Sequence, residues 1–221
     1  MRAVKSVLVM AGELKRSNPE DNEDAVLIRA MKDANIPKFI KDDLPLFNQI
    51  VQDLFPSVEI KAANYDELNK EIVKALSQVH KQPHAPLMMK VIQLFETFLV
   101  RFGVMLVGFT GSGKTSCYEC LSRVMTNIKK AKGANCPRQF QTVSMEVINP
   151  KSISMAELYG AVDLITQEWT DGLASKIMRN ASNESGEEKI WTVFDGPVDA
   201  LWIENMNTVL DDNMTLCLAN G

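Results

Sequence analysis

Two hydrophobic patterns divide the chain. Over roughly the first hundred residues apolar positions recur at helical spacing; beyond them short apolar runs alternate with polar, turn-rich stretches. Val4, Val7, Leu8, Ala11 and Leu14 form one stripe and predict a helix. A second helix is expected from SNPEDNEDA, with Asn18 as cap, Pro19 at the first helical position and Glu20 and Asp21 facing the positive end of the dipole. Leu27, Ala30, Met31 and Ala34 give it an apolar face, and Pro37 ends it. DLPLFNQIVQDLFP is a short apolar segment closed by Pro56. Asn64 to Glu67 reads as a capping box ahead of the stripe Leu68, Ile72, Ala75, Leu76 and Val79. A further helix is expected from Pro86 to about Phe102.

At Gly103 the pattern changes. GVMLVGF is apolar on both faces, as a buried parallel strand requires, and leads through a Gly-rich loop into a helix from about Lys114 to Lys130. FQTVSMEVI predicts a second strand, followed by the polar segment SISMAELYG and the Trp-containing QEWTDG. Residues 173–180 read as helix and ASNESGEEK as an exposed loop. IWTVFD is a third strand, PVDALWIENMNTVL a helix and MTLCLAN a fourth strand. Strands alternating with helices predict an α/β fold with a parallel sheet flanked by helices, preceded by a helical segment.

Composition narrows the function classes. The 221 residues are 46% hydrophobic and 24% charged, an ordinary globular balance rather than a disordered one. A formal net charge of −4 argues against a nucleic-acid binder that works through bulk positive charge. No apolar run approaches the roughly 20 residues that span a bilayer, so no membrane partner is expected. The apolar N-terminal stretch turns charged without a cleavage site, which predicts a helix of a folded, cytosolic domain. The four Cys lack a regular framework, as in a reducing compartment. Cys117 and Cys120 fall on one face of a helix and lack the further ligands of a zinc site. His80 and His84 are separated by Pro83 and read as surface residues, and the methionines as core filler. Trp191 and Trp202 are expected in the core, whereas Trp169 is either a packing or an interface anchor.

The chemistry is carried by Gly108-Phe109-Thr110-Gly111-Ser112-Gly113-Lys114-Thr115, a full match to the phosphate-loop pattern, set between an apolar run and a helix. Glycines let successive N–H groups turn inward on an anion, and the helix N-terminus adds its positive end. Lys114 reaches the β- and γ-phosphates, and the Thr115 hydroxyl suits Mg²⁺. The strand ending in Asp195 supplies the acid for the metal side. The next residue is Gly196, where hydrolysing AAA+ proteins carry the Glu that orients the attacking water. Positioned acid–base groups contribute roughly 10²–10⁴-fold in rate, so the site is expected to bind ATP and cleave it very slowly. Asp199 and Glu204 are the nearest downstream acids, and Asp199 would have to swing in to substitute. Asn220, at the end of the fourth strand, is either a γ-phosphate contact or part of an Asn-Gly turn.

These motifs together resemble dynein heavy chains, specifically the second AAA+ module of the motor ring, with axonemal rather than cytoplasmic wording. The resemblance rests on GFTGSGKT, INPKSISMAELYG, EWTDG, WTVFDGPVDALWIENMNTVLDDN and LCLANG. MRAVKSVLVMAG and EDAVLIRAMKDANIPKF resemble the end of the preceding module, and DLPLFNQIVQDLFP the start of the next. It implies that residues 1–42 close one module and 43–221 form most of the large α/β subdomain of another. The AAA+ strand order would be 5-1-4-3-2, with strand 5, the small domain and the arginine finger expected after Gly221. By resemblance the nucleotide-binding residues are Gly108, Thr110, Gly111, Ser112, Gly113, Lys114, Thr115, Ser116, Asp195 and Asn220, with Thr115 and Asp195 on the metal side. The cofactors implied are ATP (or ADP) and Mg²⁺. On the same resemblance Arg2 would be the preceding module's sensor-two arginine, residues 149–171 would carry insert loops of the kind that meet the linker, and Leu44 to Phe47 are the expected adenine contacts.

The resemblance further implies an essentially non-hydrolysing structural or regulatory module of a microtubule minus-end-directed motor. Its partners would be neighbouring AAA+ modules, the linker, microtubules and, through the full chain, intermediate and light chains. The location would be the cytoskeleton of the cytoplasm or of the ciliary axoneme. Two alternatives stand beside it: a hydrolysing ATPase with another base, and a P-loop phosphotransferase, which the lack of an arginine-rich lid disfavours. Without strand 5, GVMLVGF would form an open apolar edge prone to aggregation.

Overall fold

The computed structural model describes residues 2–17, 19–36, 39–40, 42–56, 58, 65–210 and 214–219. These divide into two compact units, residues 1–70 with 84–101 and residues 71–83 with 102–221, so that residues 43–70 share the first unit with the N-terminal helices.

The first unit is helical. α1 (Arg2–Ser17) packs on α2 (Glu23–Asn35) through Met10, Ala30 and Ala34, with Val7, Ala11 and Leu14 around them. The buried stripe of α1 is thus Val7-Met10-Ala11-Leu14, and the expected Val4 and Leu8 are exposed. The stripe is set by where α2 lies, and Met10, one helical turn past Val7, completes it. α2 begins later than expected. Asn22, not Asn18, is its cap, and the Asn22 side chain accepts the Asp24 amide at 2.8 Å. The segment holds two competing cap signals, and the one nearer the apolar run starting at Val26 forms. Pro19 lies in a turn; Asn18 and Pro37 fall outside the described residues. The segment closed by Pro56 is a helix, α3 (Leu44–Leu54). α4 (Asp66–Gln78), whose residues from 71 onward belong to the second unit, buries the expected Leu68, Ile72, Ala75 and Leu76, while the expected cap Asn64 lies outside the described residues. α5 (Ala85–Val100) follows, and Tyr65 donates to Glu96 at 2.6 Å. His80 and His84 are exposed.

The second unit holds the sheet. α6 (Lys114–Lys132) buries Cys117, Cys120, Leu121, Val124, Met125 and Ile128 and packs on β1 (Val143–Ile148). β1 runs parallel to β4 (Lys189–Phe194), in register from Val143 opposite Lys189 to Ile148 opposite Phe194. Between them α7 (Met155–Tyr159) turns SISMAELYG into a capped helix: Ser154 and Glu157 form a capping box. β2 (Gly160–Val162) and β3 (Trp169–Asp171) form an antiparallel ribbon. α8 (Leu173–Asn183) extends into the expected loop. The expected single helix after Asp195 is broken into α9 (Ala200–Ile203), a 3-10 turn and α10 (Asn207–Leu210). One core cluster joins Ile148, Leu158, Tyr159, Ala174, Trp202, Met206 and Val209. Trp202 stacks on Phe194 with centroids 5.5 Å apart. Trp169 covers Gly160 and donates to Asp171 at 2.7 Å, which makes it a packing anchor of its own ribbon.

Two expected strands are not paired. Residues 104–109, ahead of the phosphate loop, lie outside any described sheet, with Val107 85% and Phe109 91% exposed. Residues 214–218 are likewise unpaired, although Leu216 and Leu218 pack against the core cluster. An apolar run becomes a central strand only when both edges find a ladder.

Candidate nucleotide site

The phosphate loop ends as its sequence demands. Gly111 and Gly113 have φ of 81° and 87°, a region that side chains rarely adopt, and Gly113 caps α6 through its carbonyl, which accepts the Cys117 amide at 2.9 Å. A Cβ on Gly108 would lie 2.8 Å from the Ser112 hydroxyl, so a side chain there would make that hydroxyl turn away. Lys114 arches back over the loop and donates to the carbonyls of Gly108 and Phe109, each at 2.9 Å. Its ammonium therefore stands over the backbone that would cradle phosphate, and carbonyl oxygens are partners that a phosphate oxygen outcompetes. Thr110, Gly111 and Ser112 are exposed around it. The glycine conformations and the positioned cation fit a nucleoside triphosphate.

Asp195 follows β4, its amide donating to the Ile148 carbonyl at 2.8 Å, so the parallel ladder delivers this acid to the sheet's edge. Tyr118, one helical turn after Thr115, hydrogen-bonds Thr115 and approaches the Asp195 carboxylate at 3.5 Å. Burial and then the Asp195 charge push its phenol pKa up. Tyr118 thus links the two residues expected on the metal side. No group of three or more His, Cys, Asp or Glu that could hold a metal occurs among the described residues. A hydroxyl and one carboxylate suit Mg²⁺, which takes few protein ligands and completes its shell with phosphate and water.

Gly196 lies beneath the loop that follows β1: a Cβ there would meet Asn149 Oδ1 at 3.0 Å and Pro150 at 3.1 Å. Asp199 caps α9, accepting the Leu201 amide at 2.8 Å, and pairs with Lys151. The Lys151 hydrogen bond, then the Leu201 amide, hold its carboxyl below the usual range. Ser116 accepts a hydrogen bond from Lys81 at 2.8 Å, and Lys81 also lies 3.5 Å from Glu119. Leu44 to Phe47 open α3 in the first unit. Asn220 and the Arg2 side chain fall outside what is described.

A family profile described as the hydrolytic ATP binding site of the dynein motor region matches residues 1–115. The chain belongs to the dynein heavy chain family. This dynein segment is 55% identical over all 221 residues to axonemal heavy chain 6 of Homo sapiens, 49% to axonemal heavy chain 1 of Rattus norvegicus and 44% to axonemal heavy chain 3 of Mus musculus. It spans about 5% of the length of these relatives.

Four residues of the candidate site were missed by sequence reasoning. Tyr118 had a signal, since three residues past Thr115 is one helical turn. Asn149-Pro150 carried only a turn signal. Lys81 had none, because its partners lie 35 and 38 residues away.

Proposed function

We propose that this segment is an ATP-binding, essentially non-hydrolysing structural or regulatory module, the second AAA+ unit of an axonemal dynein ring. The observation that carries this reading is the end of β4: Asp195 is followed by Gly196, and the nearest alternative base, Asp199, is held by a cap and an ion pair. A carboxylate held below its usual pKa accepts a proton poorly, and a general base must reach the water before its pKa matters. Gly108 to Ser116, with Asn220, would hold the triphosphate, and Lys114 would turn from its carbonyl partners to phosphate. Thr115 and Asp195 would hold Mg²⁺, which when bound neutralises phosphate charge.

On this reading residues 1–42 close the preceding module and residues 43–221 form most of the large subdomain of the next. Neighbouring modules and the linker would be its partners, microtubules the track of the whole chain, intermediate and light chains its companions and the ciliary axoneme its place, as the axonemal names of the relatives suggest. The profile's description favours a second reading, a working ATPase.

Single-turnover hydrolysis decides between the two. In the full heavy chain with its other nucleotide sites disabled, this site should retain bound ATP without appreciable turnover. Steady turnover there would reject the non-hydrolysing reading.

A further inference from the structure

The glycine after Asp195 is explained by space rather than by backbone conformation. Its φ lies outside the region reserved for glycine, so a side chain is conformationally permitted. What opposes a side chain is the Asn149–Ser152 loop. A Cβ would press on Asn149 Oδ1 at 3.0 Å and on Pro150 Cδ at 3.1 Å, each tighter than an ordinary contact. Neither neighbour yields easily. Pro150 is buried and its ring has no rotamer to give. Asn149 Oδ1 accepts the Lys151 amide at 3.0 Å, and the Asn149 carbonyl accepts the Ser152 amide at 3.2 Å and the Ser152 hydroxyl at 2.8 Å. The loop is tied down at its far side by the Lys151–Asp199 pair.

We propose that Asn149 and Pro150 form a fixed plug over the position where a catalytic glutamate would stand, so that hydrolytic silence is built into two segments at once. The inference rests on the non-hydrolysing reading above and deepens it. Loss of the base and closure of the plug support one another: with glycine at 196 the loop packs directly on the strand end, and a larger residue enters only if the loop gives by a few tenths of an ångström. Restoring the carboxylate alone therefore does not restore a positioned base.

The test uses the full heavy chain with its other nucleotide sites disabled, and three forms of this site: unmodified, Gly196→Glu, and Gly196→Glu combined with Asn149→Ala and Pro150→Ala. Each is assayed for binding of a fluorescent ATP analogue, for single-turnover hydrolysis, and for amide exchange in the peptide spanning residues 149–153. Gly196→Glu alone should bind nucleotide, hydrolyse within about threefold of the unmodified site, and exchange about tenfold faster in that peptide as the side chain strains the plug without clearing it from the site. The combined variant should bind and gain roughly 10²-fold or more in hydrolysis, the share of a positioned base.

A single Gly196→Glu that hydrolyses as fast as the combined variant, or that leaves exchange in residues 149–153 unchanged, would overturn the plug while leaving the missing-base reading intact. Nucleotide-bound but equally inactive single and combined variants would also overturn it. Appreciable hydrolysis by the unmodified site would instead remove the reading beneath it.

Discussion

Lys151 pairs with Asp199, tying the loop behind one strand of the parallel sheet to the cap of the helix behind the other. The two segments that flank the acid strand's end, INPKS and DGPVD, thereby hold each other. The carboxylate serves two donors at once, the Lys151 ammonium and the Leu201 amide, which leaves it a structural group rather than a mobile base.

Replacing Asp199 with Asn should therefore leave single-turnover hydrolysis at this site within about twofold of the parent, since no positioned base is removed. Its effect should appear in stability instead. Asp199 has a depressed pKa in the folded chain, so its contribution is present above the unfolded carboxylate value near 3.9 and is lost as pH falls through the lower folded value. Amide exchange across residues 197–203 should accelerate below about pH 4 in the parent. That acid-dependent acceleration should vanish in the Asn variant, and its persistence would show that another group titrates there.

Lys114→Ala should abolish useful nucleotide affinity at this site. A charge-assisted hydrogen bond is worth about 1.5–3 kcal/mol, roughly a 10- to 150-fold loss in affinity. The two carbonyls it now satisfies are on an exposed loop and turn to water, so folding should be unaffected. Fluorescent-nucleotide titration of the full chain with its other sites disabled reads the first effect, and exchange across α6 the second.

Tyr118→Phe tests the bridge between Thr115 and Asp195. Removal of one neutral hydroxyl should weaken Mg²⁺-dependent nucleotide binding by about 0.5–1.5 kcal/mol, a 2- to 12-fold effect. Binding measured in chelator should change far less, because the phenol contacts Thr115 and Asp195, the pair expected on the metal side. An equal loss with and without Mg²⁺ would show that Tyr118 acts through packing of α6 alone.

Sequence disclosed those parts of the site whose signals are local. Gly113 before Lys114 marks the start of α6, and the apolar runs over β1 and β4 mark the parallel pair that presents Asp195. It misjudged parts decided by distant neighbours. The run 104–109 has the composition of a buried strand, but composition states a preference for burial and not the presence of a ladder; Val107 and Phe109 accordingly lie exposed. The start of α2 went to Asn22 because two overlapping cap signals are equivalent locally and only the position of the apolar face separates them. Gly196 stands out in sequence only by its place after Asp195; the crowding by Asn149 and Pro150 that surrounds it arises across the parallel register and leaves no trace in local spacing.

Tyr159 offers the sharpest test of the core beneath the site. Its side chain is 5% exposed, its hydroxyl donates to the Trp202 carbonyl at 2.5 Å, and its own carbonyl accepts the Ser175 hydroxyl. Burial pushes the phenol pKa up to about 12. The folded chain therefore favours the protonated phenol, and this contribution is complete below the unfolded value near 10 and is lost as pH rises toward 12. Tyr159→Phe keeps the ring and removes the donor, leaving the Trp202 carbonyl short of a partner where water has poor access. The expected cost is about 1–3 kcal/mol in the local opening of α9, read by amide exchange across residues 199–206. Because Trp202 stacks on Phe194, the last residue of β4, loosening of α9 should be transmitted to the strand end that carries Asp195. Nucleotide affinity should then fall together with protection of residues 190–195. A variant that loses protection in α9 but keeps both affinity and strand protection would show that the stacked pair does not couple the helix to the site.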